Sequence, residues 1–319
     1  MKTKYILIAL GLFLCSAPAF GQGNGKLQIH YMDVGQGDGA ILISPLGETV
    51  LFDNGVWEGC DKPLAYLESL GVTQIDYMLI SHYHSDHFGC TREVLNRFPL
   101  KNFSYDRPGA YSGPVFRSYV RAVGQKRKHV HSTTSITLDA GSANPVKINI
   151  AGYNGAGVVT DNENDRSVVA VIHFGHFDAV MGGDLSGFQT EYYKDIETVV
   201  ARRLGQVELY KVNHHGSSHS SNRNWLNKIR PKVAVISMSD DNDYGHPTPS
   251  TMGRLHASTI SKTYWTSGGA GAAPKEGRDM VANGSVVVEV APGANEFSVK
   301  YGTQTDIHQT WPGAYTGRR

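Results

Sequence analysis

Three imidazoles and a carboxylate crowd into six positions of Ser81-His82-Tyr83-His84-Ser85-Asp86-His87, directly after the apolar run Tyr77 to Ile80. Borderline divalent metals such as zinc take imidazole nitrogen and carboxylate oxygen, and a sharp turn at a strand end aims alternate side chains into one cavity. His82 and His84 can grip one ion, while Asp86 and His87, displaced onto the turn, face a second. Two ions need more ligands than one turn supplies. Asp184 answers that need: it follows the apolar run Ala179 to Met181 in Gly182-Gly183-Asp184, where glycines allow close backbone approach and two carboxylate oxygens can bridge. Val207 to Val212 then ends in Asn213-His214-His215-Gly216, bringing two more imidazoles to the same sheet edge. One is a ligand of the second ion, and the other touches substrate or orients a ligand from behind. Spacing does not separate the pair; His214 is taken as the ligand and His215 as catalytic.

The expected metal set is thus His82, His84, Asp86, His87, Asp184 and His214, holding two divalent ions, Zn2+ or alternatively Mn2+. Two neighbouring cations lower the pKa of bound water, deliver hydroxide and stabilise charge on the attacked centre, so no side-chain nucleophile is required. Asp86 can also orient the hydroxide.

Short strand-like runs bounded by Gly, Pro and Asn lead to these residues: Leu27 to Asp33, Ala40 to Ile43, Thr49 to Asp53 and Tyr77 to Ser81. Helical periodicity appears at Lys62 to Leu70 and Thr91 to Phe98. Ser167 to Phe174 and Phe177 to Gly183 read as a hairpin turning at Gly175-His176, followed by a helix from about Phe188 to Leu204. Val207 to Val212 and Val233 to Ser237 are strands, Asn222 to Ile229 and Pro249 to His256 helices, and Ser285 to Val290 and Phe297 to Tyr301 closing strands. Mixed strands and helices of these lengths predict an α/β (α+β) chain of two packed sheets with helices outside. Gly268 to Gly277 and the tail after Thr303 read as mobile loops.

The 319 residues include an export-signal pattern at 1–21: Lys2 and Lys4, an apolar stretch from Tyr5 to Leu14, then small residues ending at Ala19 and Gly21. That stretch is too short to span a bilayer. Cys15 suggests lipidation, but the bulky Leu14 before it fits such a site poorly. A single domain over 22–304 and a flexible tail over 305–319 are expected, with no repeat of 20 to 50 residues. Removing Lys2 and Lys4 leaves 28 of the 30 basic residues against 29 acidic ones, a balance that argues neither for nor against nucleic acid. Export would leave Cys60 and Cys90 either as a disulfide or as two free buried thiols. Lys126-Arg127-Lys128-His129 is a basic run suited to a phosphate backbone or to a solvated loop, and no nucleic-acid-reading module accompanies it.

His82-Tyr83-His84-Ser85-Asp86-His87 resembles the HxHxDH signature of the metallo-β-lactamase superfamily. Asp33-Val34-Gly35-Gln36-Gly37-Asp38, Leu51-Phe52-Asp53-Asn54-Gly55, Gly183-Asp184, His214-His215-Gly216-Ser217 and Gly245-His246-Pro247 are similar, in order and spacing, to its ComEC-type competence hydrolase branch, over about Leu27 to Tyr301. The resemblance implies an αββα sandwich with the metal site at one sheet edge, a hydroxide bridging two ions, Asp184 bridging below, and hydrolysis of an ester-like bond. Many members place another histidine just before the strand that here starts near Ser167; this chain has Asn162, Glu163, Asn164 and Asp165, which leaves open what completes the first site. Asp53 is expected to orient His82, His84 or a water, the alternative being a turn-forming residue. Asp33, Gln36 and Asp38 line the rim or belong to a hairpin connection. His246 is assigned a catalytic role, donating to a developing anion; read without the resemblance it is an exposed loop histidine. His173, His176, His129, His131 and His219 are read as surface or hairpin residues.

The favoured substrate is a phosphodiester, with nucleic acid as the implied partner outside the cytoplasm. A β-lactam, lactone or phosphorylcholine ester is the alternative, because one fold and metal site serve unrelated specificities. Outside the enzyme class stands a binding or scaffold protein with a decayed site, against which intact ligands at widely spaced positions argue.

Overall fold

A computed structural model describes residues 23–312, so the export-signal pattern and Cys15 lie outside the described residues. Two mixed sheets face each other. The first runs, edge to edge, β17 (Gln304–Gln309), β16 (Glu296–Tyr301), β15 (Val286–Val290), β1 (Leu27–Tyr31), β2 (Gly39–Ile43), β3 (Thr49–Asn54), β4 (Tyr77–Leu79), β5 (Ser104–Asp106) and β6 (Arg127–His129). The second runs β14 (Asp279–Val281), β13 (Lys262–Trp265), β12 (Val233–Ile236), β11 (Leu209–Lys211), β10 (Phe177–Met181), β9 (Val169–Phe174), β8 (Val146–Gly152) and β7 (Ser135–Leu138). Pairing is parallel from β3 to β6 and from β10 to β14, and antiparallel elsewhere.

Alternation along the strands builds three apolar layers. Leu27, Ile29, Leu42, Phe52, Ile148, Ile172, Ala179, Leu209 and Val288 meet between the sheets. On the outer face of the first sheet, Ile41, Leu51 and Met78 pack under α1 (Asp61–Ser69), α2 (Ser85–Phe88), α3 (Thr91–Arg97) and α4 (Pro114–Val123). Val171, Val180, Tyr210 and Ala234 pack under α5 (Ile196–Ala201), α6 (Arg223–Ile229) and α7 (Pro249–His256). The result is the helix–sheet–sheet–helix sandwich that the resemblance implies.

Three expectations fail locally. The tail does not start free at 305: β17 pairs residue by residue with β16, where Ile307 opposite Ser298 continues the sheet. The segment 268–277 is tied down, Ala270 and Ala272 donating their amides to the His246 and Pro247 carbonyls. The helix expected from Phe188 spans only Ile196–Ala201, because Gly187 bridges Asp195 and the Asp195 carboxylate accepts the Thr198 amide as its N-cap. The cysteines resolve to a Cys60–Cys90 disulfide, which joins the start of α1 to the residue before α3.

Candidate metal centre

Ligands in open α/β sheets gather outside the carboxyl ends of parallel strands, where the chain turns outward. Here β3 carries Asp53 next to its last residue, β4 leads to Ser81 and His82, β10 to Asp184, β11 to His214 and His215, and β12 to Ser237. Glycines allow the turns to meet. A Cβ on Gly183, at φ +52, would lie 2.6 Å from Ser81 Oγ, and one on Gly37 would lie 2.3 Å from the Asp86 carbonyl. At that second point the Asp38 amide donates to the same Asp86 carbonyl at 3.1 Å, locking the β1–β2 connection against the histidine-rich turn.

Asp184 stands at the middle. Its Oδ2 lies 3.9 Å from His82 Nε2 and 3.6 Å from His214 Nε2, and its Oδ1 lies 3.2 Å from His87 Nε2 and 3.4 Å from His215 Nε2. Asp86 Oδ2 faces the same two imidazoles, 3.6 Å from His87 Nε2 and 3.4 Å from His215 Nε2. Two donor groups result, each with its atoms within 4.8 Å of one another: His82, His84 and Asp184, and Asp86, His87, Asp184 and His215. His87 Nε2, His215 Nε2 and Asp184 Oδ1 are buried without a hydrogen-bond partner. Buried polar atoms are seldom orphaned, and nitrogen and carboxylate oxygen are the donors that zinc and manganese take, so the residues present fit a pair of divalent ions.

Burial of the His82 imidazole holds it well below the ordinary histidine range, and burial brings His214 down to about 4. Burial also opposes charge on His215, but Asp184 and Asp38 outweigh it and push that imidazole up to about 10. His87 is raised well above its ordinary value in the same way, by Asp184, Asp86 and Asp53. The second group thus holds imidazolium against carboxylate, where a dication would displace protons on binding.

The structure places the remaining sequence candidates as follows. Asp53 orients His87, not His82 or His84: His87 Nδ1 donates to Asp53 Oδ2 at 2.8 Å, while the Ser81 amide donates to Oδ1 at 2.8 Å. The neighbouring histidines point to different places, and the one expected as the ligand of the second ion is not the one found beside it. His215, not His214, joins Asp86 and His87, because both residues take left-handed backbone angles that swing His215 inward. His214 turns instead toward Asn164, whose Nδ2 is 3.4 Å from its Nε2 at the place where the resemblance implies a histidine. Glu163 beside it is spent on Arg107, in an ion pair buried at 2.5 Å. His246 is buried rather than exposed, its ring 5.7 Å from that of His214 and its Nδ1 without a partner. Burial, aided by His215 and His214, brings it down to about 3, so its imidazole is neutral near pH 7. Asp38 is not a rim residue: it lies beneath the second group, 2.5 Å from the buried Lys211 ammonium. Most of the basic run is internal in use, Arg127 and His129 pairing with Asp106 and Lys126 donating to the Leu100 carbonyl.

A pocket of about 680 Å³ opens over Asp184, His84, Asp86, His214, His215 and His246. Tyr193, His219, Tyr111 and Tyr244 line it as well, and sequence reasoning missed all four. Tyr193 stacks on His219 at 4.7 Å and Tyr244 on His246 at 5.7 Å. Nothing in their local sequence marks them, since loops far apart in the chain bring them together.

The metallo-beta-lactamase superfamily model matches residues 40–239. The chain is 29% identical over 235 residues to "Recombination protein 2" of Haemophilus influenzae, covering 72% of this chain and 26% of that protein. It is 26% identical over 232 residues to "Competence protein ComA" of Neisseria gonorrhoeae, covering 72% and 29%. The chain therefore spans under a third of the length of these relatives. Among solved structures it is similar to the metallo-beta-lactamase fold protein YhfI of Bacillus subtilis, at 11% identity and TM-score 0.46, covering 78% of this chain and 99% of that one. With the family model covering most of the chain, and two sheets closing around the HxHxDH turn, this protein belongs to the metallo-beta-lactamase superfamily.

Proposed function

We propose that this member of a metal-dependent hydrolase superfamily is an exported dinuclear enzyme that cleaves phosphodiester bonds. One observation carries the dinuclear reading: imidazoles and carboxylates from three strand ends converge in two groups sharing Asp184, and in the second of them His87 Nε2, His215 Nε2 and Asp184 Oδ1 are buried without a hydrogen-bond partner. His82, His84 and Asp184 would hold one ion; Asp86, His87, Asp184 and His215 would hold the other. Ions bound there would supply activated water and charge neutralisation at the attacked phosphorus.

The chain's own residues do the rest. Asp53 and the Ser237 carbonyl accept the Nδ1 protons of His87 and His215, turning both Nε2 atoms toward Asp184. His246, neutral and facing the pocket, donates a hydrogen bond to an oxygen on which charge builds. Aromatic walls formed by Tyr111, Tyr193 and Tyr244 suit planar groups beside the scissile bond. The printed names of the relatives, recombination and competence proteins, support a nucleic-acid substrate. Export is supported by the pattern at 1–21 and by the disulfide, since such bonds persist in oxidising compartments.

A compact substrate, such as a lactone, β-lactam or small phosphate ester, is the second reading. One feature favours it: among the described residues lining the pocket there is no Lys or Arg to track a polyanion. The test is metal analysis of the purified protein, with turnover of bis(4-nitrophenyl) phosphate, single-stranded DNA, duplex DNA, nitrocefin and a lactone, and His84→Ala as control. About two ions per chain and phosphodiester turnover lost in His84→Ala are expected. Nitrocefin or lactone turnover without phosphodiester turnover selects the second reading, and no bound metal after zinc or manganese addition removes both.

A further inference from the structure

Lys211 sits in β11 two residues after Leu209, so strand alternation turns both toward the space between the sheets, where an apolar side chain belongs. It is 2% exposed all the same. Its ammonium lies 2.5 Å from Asp38 Oδ2 and donates to the Val212 carbonyl at 3.0 Å. Burying two charges costs several kcal/mol per ion, and apolar residues of the same volume are often as stable. Stability alone therefore gives no reason for this pair.

Its neighbours give one. Asp38 Oδ1 is 3.3 Å from His215 Nδ1, which also lies 2.9 Å from the Ser237 carbonyl. Both neighbours of that nitrogen are acceptors, so Nδ1 keeps its hydrogen, and Nε2 is the nitrogen that would give up its proton and face an ion beside Asp86 and Asp184. Asp53 stands behind His87 more closely, accepting its Nδ1 hydrogen at 2.8 Å, so each imidazole of the second group has a carboxylate behind it, with the Ser237 carbonyl taking the hydrogen bond of His215. The two carboxylates are not equivalent, however, because Lys211 neutralises Asp38 alone. Asp38, Asp53 and His87 also form a third group whose donor atoms lie within 4.8 Å of one another. A cation held there would share Asp38 with the Lys211 ammonium, and like charges so close in a buried place repel strongly.

We propose that the Lys211–Asp38 pair is a positioning device for the second ion: Asp38 fixes His215 with Nε2 toward Asp86 and Asp184, and the Lys211 ammonium fills the place a third cation would otherwise take. The inference rests on the dinuclear reading above. Both residues act through others and touch no substrate.

Metal binding, not turnover, tests it, by competition titration of zinc against a chromophoric chelator, with circular dichroism and thermal melting as controls. The variant Asp38→Leu/Lys211→Met removes both charges and leaves neither unpaired. Its melting temperature is expected to stay near that of the wild type, while one of the two ions binds ten- to a hundredfold more weakly, as loss of a group behind a ligand histidine gives. In Lys211→Met alone, the freed carboxylate is expected to take a third equivalent of zinc. Unchanged affinity at both sites in the double variant overturns the positioning role, and a stoichiometry still at two in Lys211→Met overturns the exclusion role. A wild type that binds no metal overturns the dinuclear reading itself, and only that outcome shows in the unmodified protein.

Discussion

Asp53 accepts hydrogen bonds from the Ser81 amide, the Ser81 hydroxyl and His87 Nδ1, all from a backbone at φ +48. A carboxylate so engaged ties the strand that carries it to the turn that carries the ligands. Asp53→Ala frees the His87 ring, and metal affinity is expected to fall ten- to a hundredfold; a chelator titration that finds wild-type affinity contradicts the role. The adjacent histidines make a sharper test. His215→Ala is expected to lose about one equivalent of bound metal and His214→Ala to keep two, read by elemental analysis after dialysis. Equal losses would show that the left-handed turn at 214–215 does not separate them. At this scale the kinds of residue were legible and their pairings were not: an aspartate after a strand announces a carboxylate near the site, but which imidazole it meets depends on how β3 and β4 lie side by side.

Around these residues, short elements hold two turns together. Gly183 precedes Asp184 at φ +52, with Ser81 so near that any Cβ collides. Gly183→Ala is expected to destabilise by about 1–3 kcal/mol through overpacking and backbone strain, measured by urea unfolding, and to part Asp184 from His82. The Cys60–Cys90 disulfide closes a loop with a sequence separation of 30 that contains α1, β4 and the whole HxHxDH turn. Constraining a loop of that size in the unfolded chain contributes about 3–4 kcal/mol. Cys60→Ser/Cys90→Ser should therefore lower the urea midpoint clearly, and an unchanged midpoint would show that packing alone holds the turn. Strong periodicity and end signals made some elements legible, such as the helix predicted over Pro249 to His256, which the structure reproduces. The helix expected from Phe188 misled because its apolar and aromatic residues serve a bridged loop before Asp195, a tertiary arrangement that local propensity does not report. In β17 the opposite occurred: polar alternation that reads as a tail is an edge strand with one side in solvent.

For the molecule as a whole, Glu208 links stability to pH. It lies immediately before β11, accepting hydrogen bonds from the Asp178 and Trp311 amides, and burial pushes its carboxyl up to about 7. A folded-state value above the unfolded one means that the native chain holds this proton more tightly. Its contribution is complete below about 4.5 and is lost as pH rises through 7, up to about 3 kcal/mol at 1.36 kcal/mol per unit. Unfolding free energies at pH 5 and pH 8 should differ in that direction, and Glu208→Gln should flatten the difference; a slope of opposite sign would contradict the buried neutral acid. The fold itself was legible because a sandwich needs only alternation and period, properties carried along the chain, and because the metal-binding turn is contiguous. Which histidine of the 214–215 pair enters the cluster, what stands behind it, and the walls of the pocket were decided only in three dimensions. Those choices depend on distances between strand ends more than a hundred residues apart, as between Asp38 and Lys211, and no local pattern encodes such a distance.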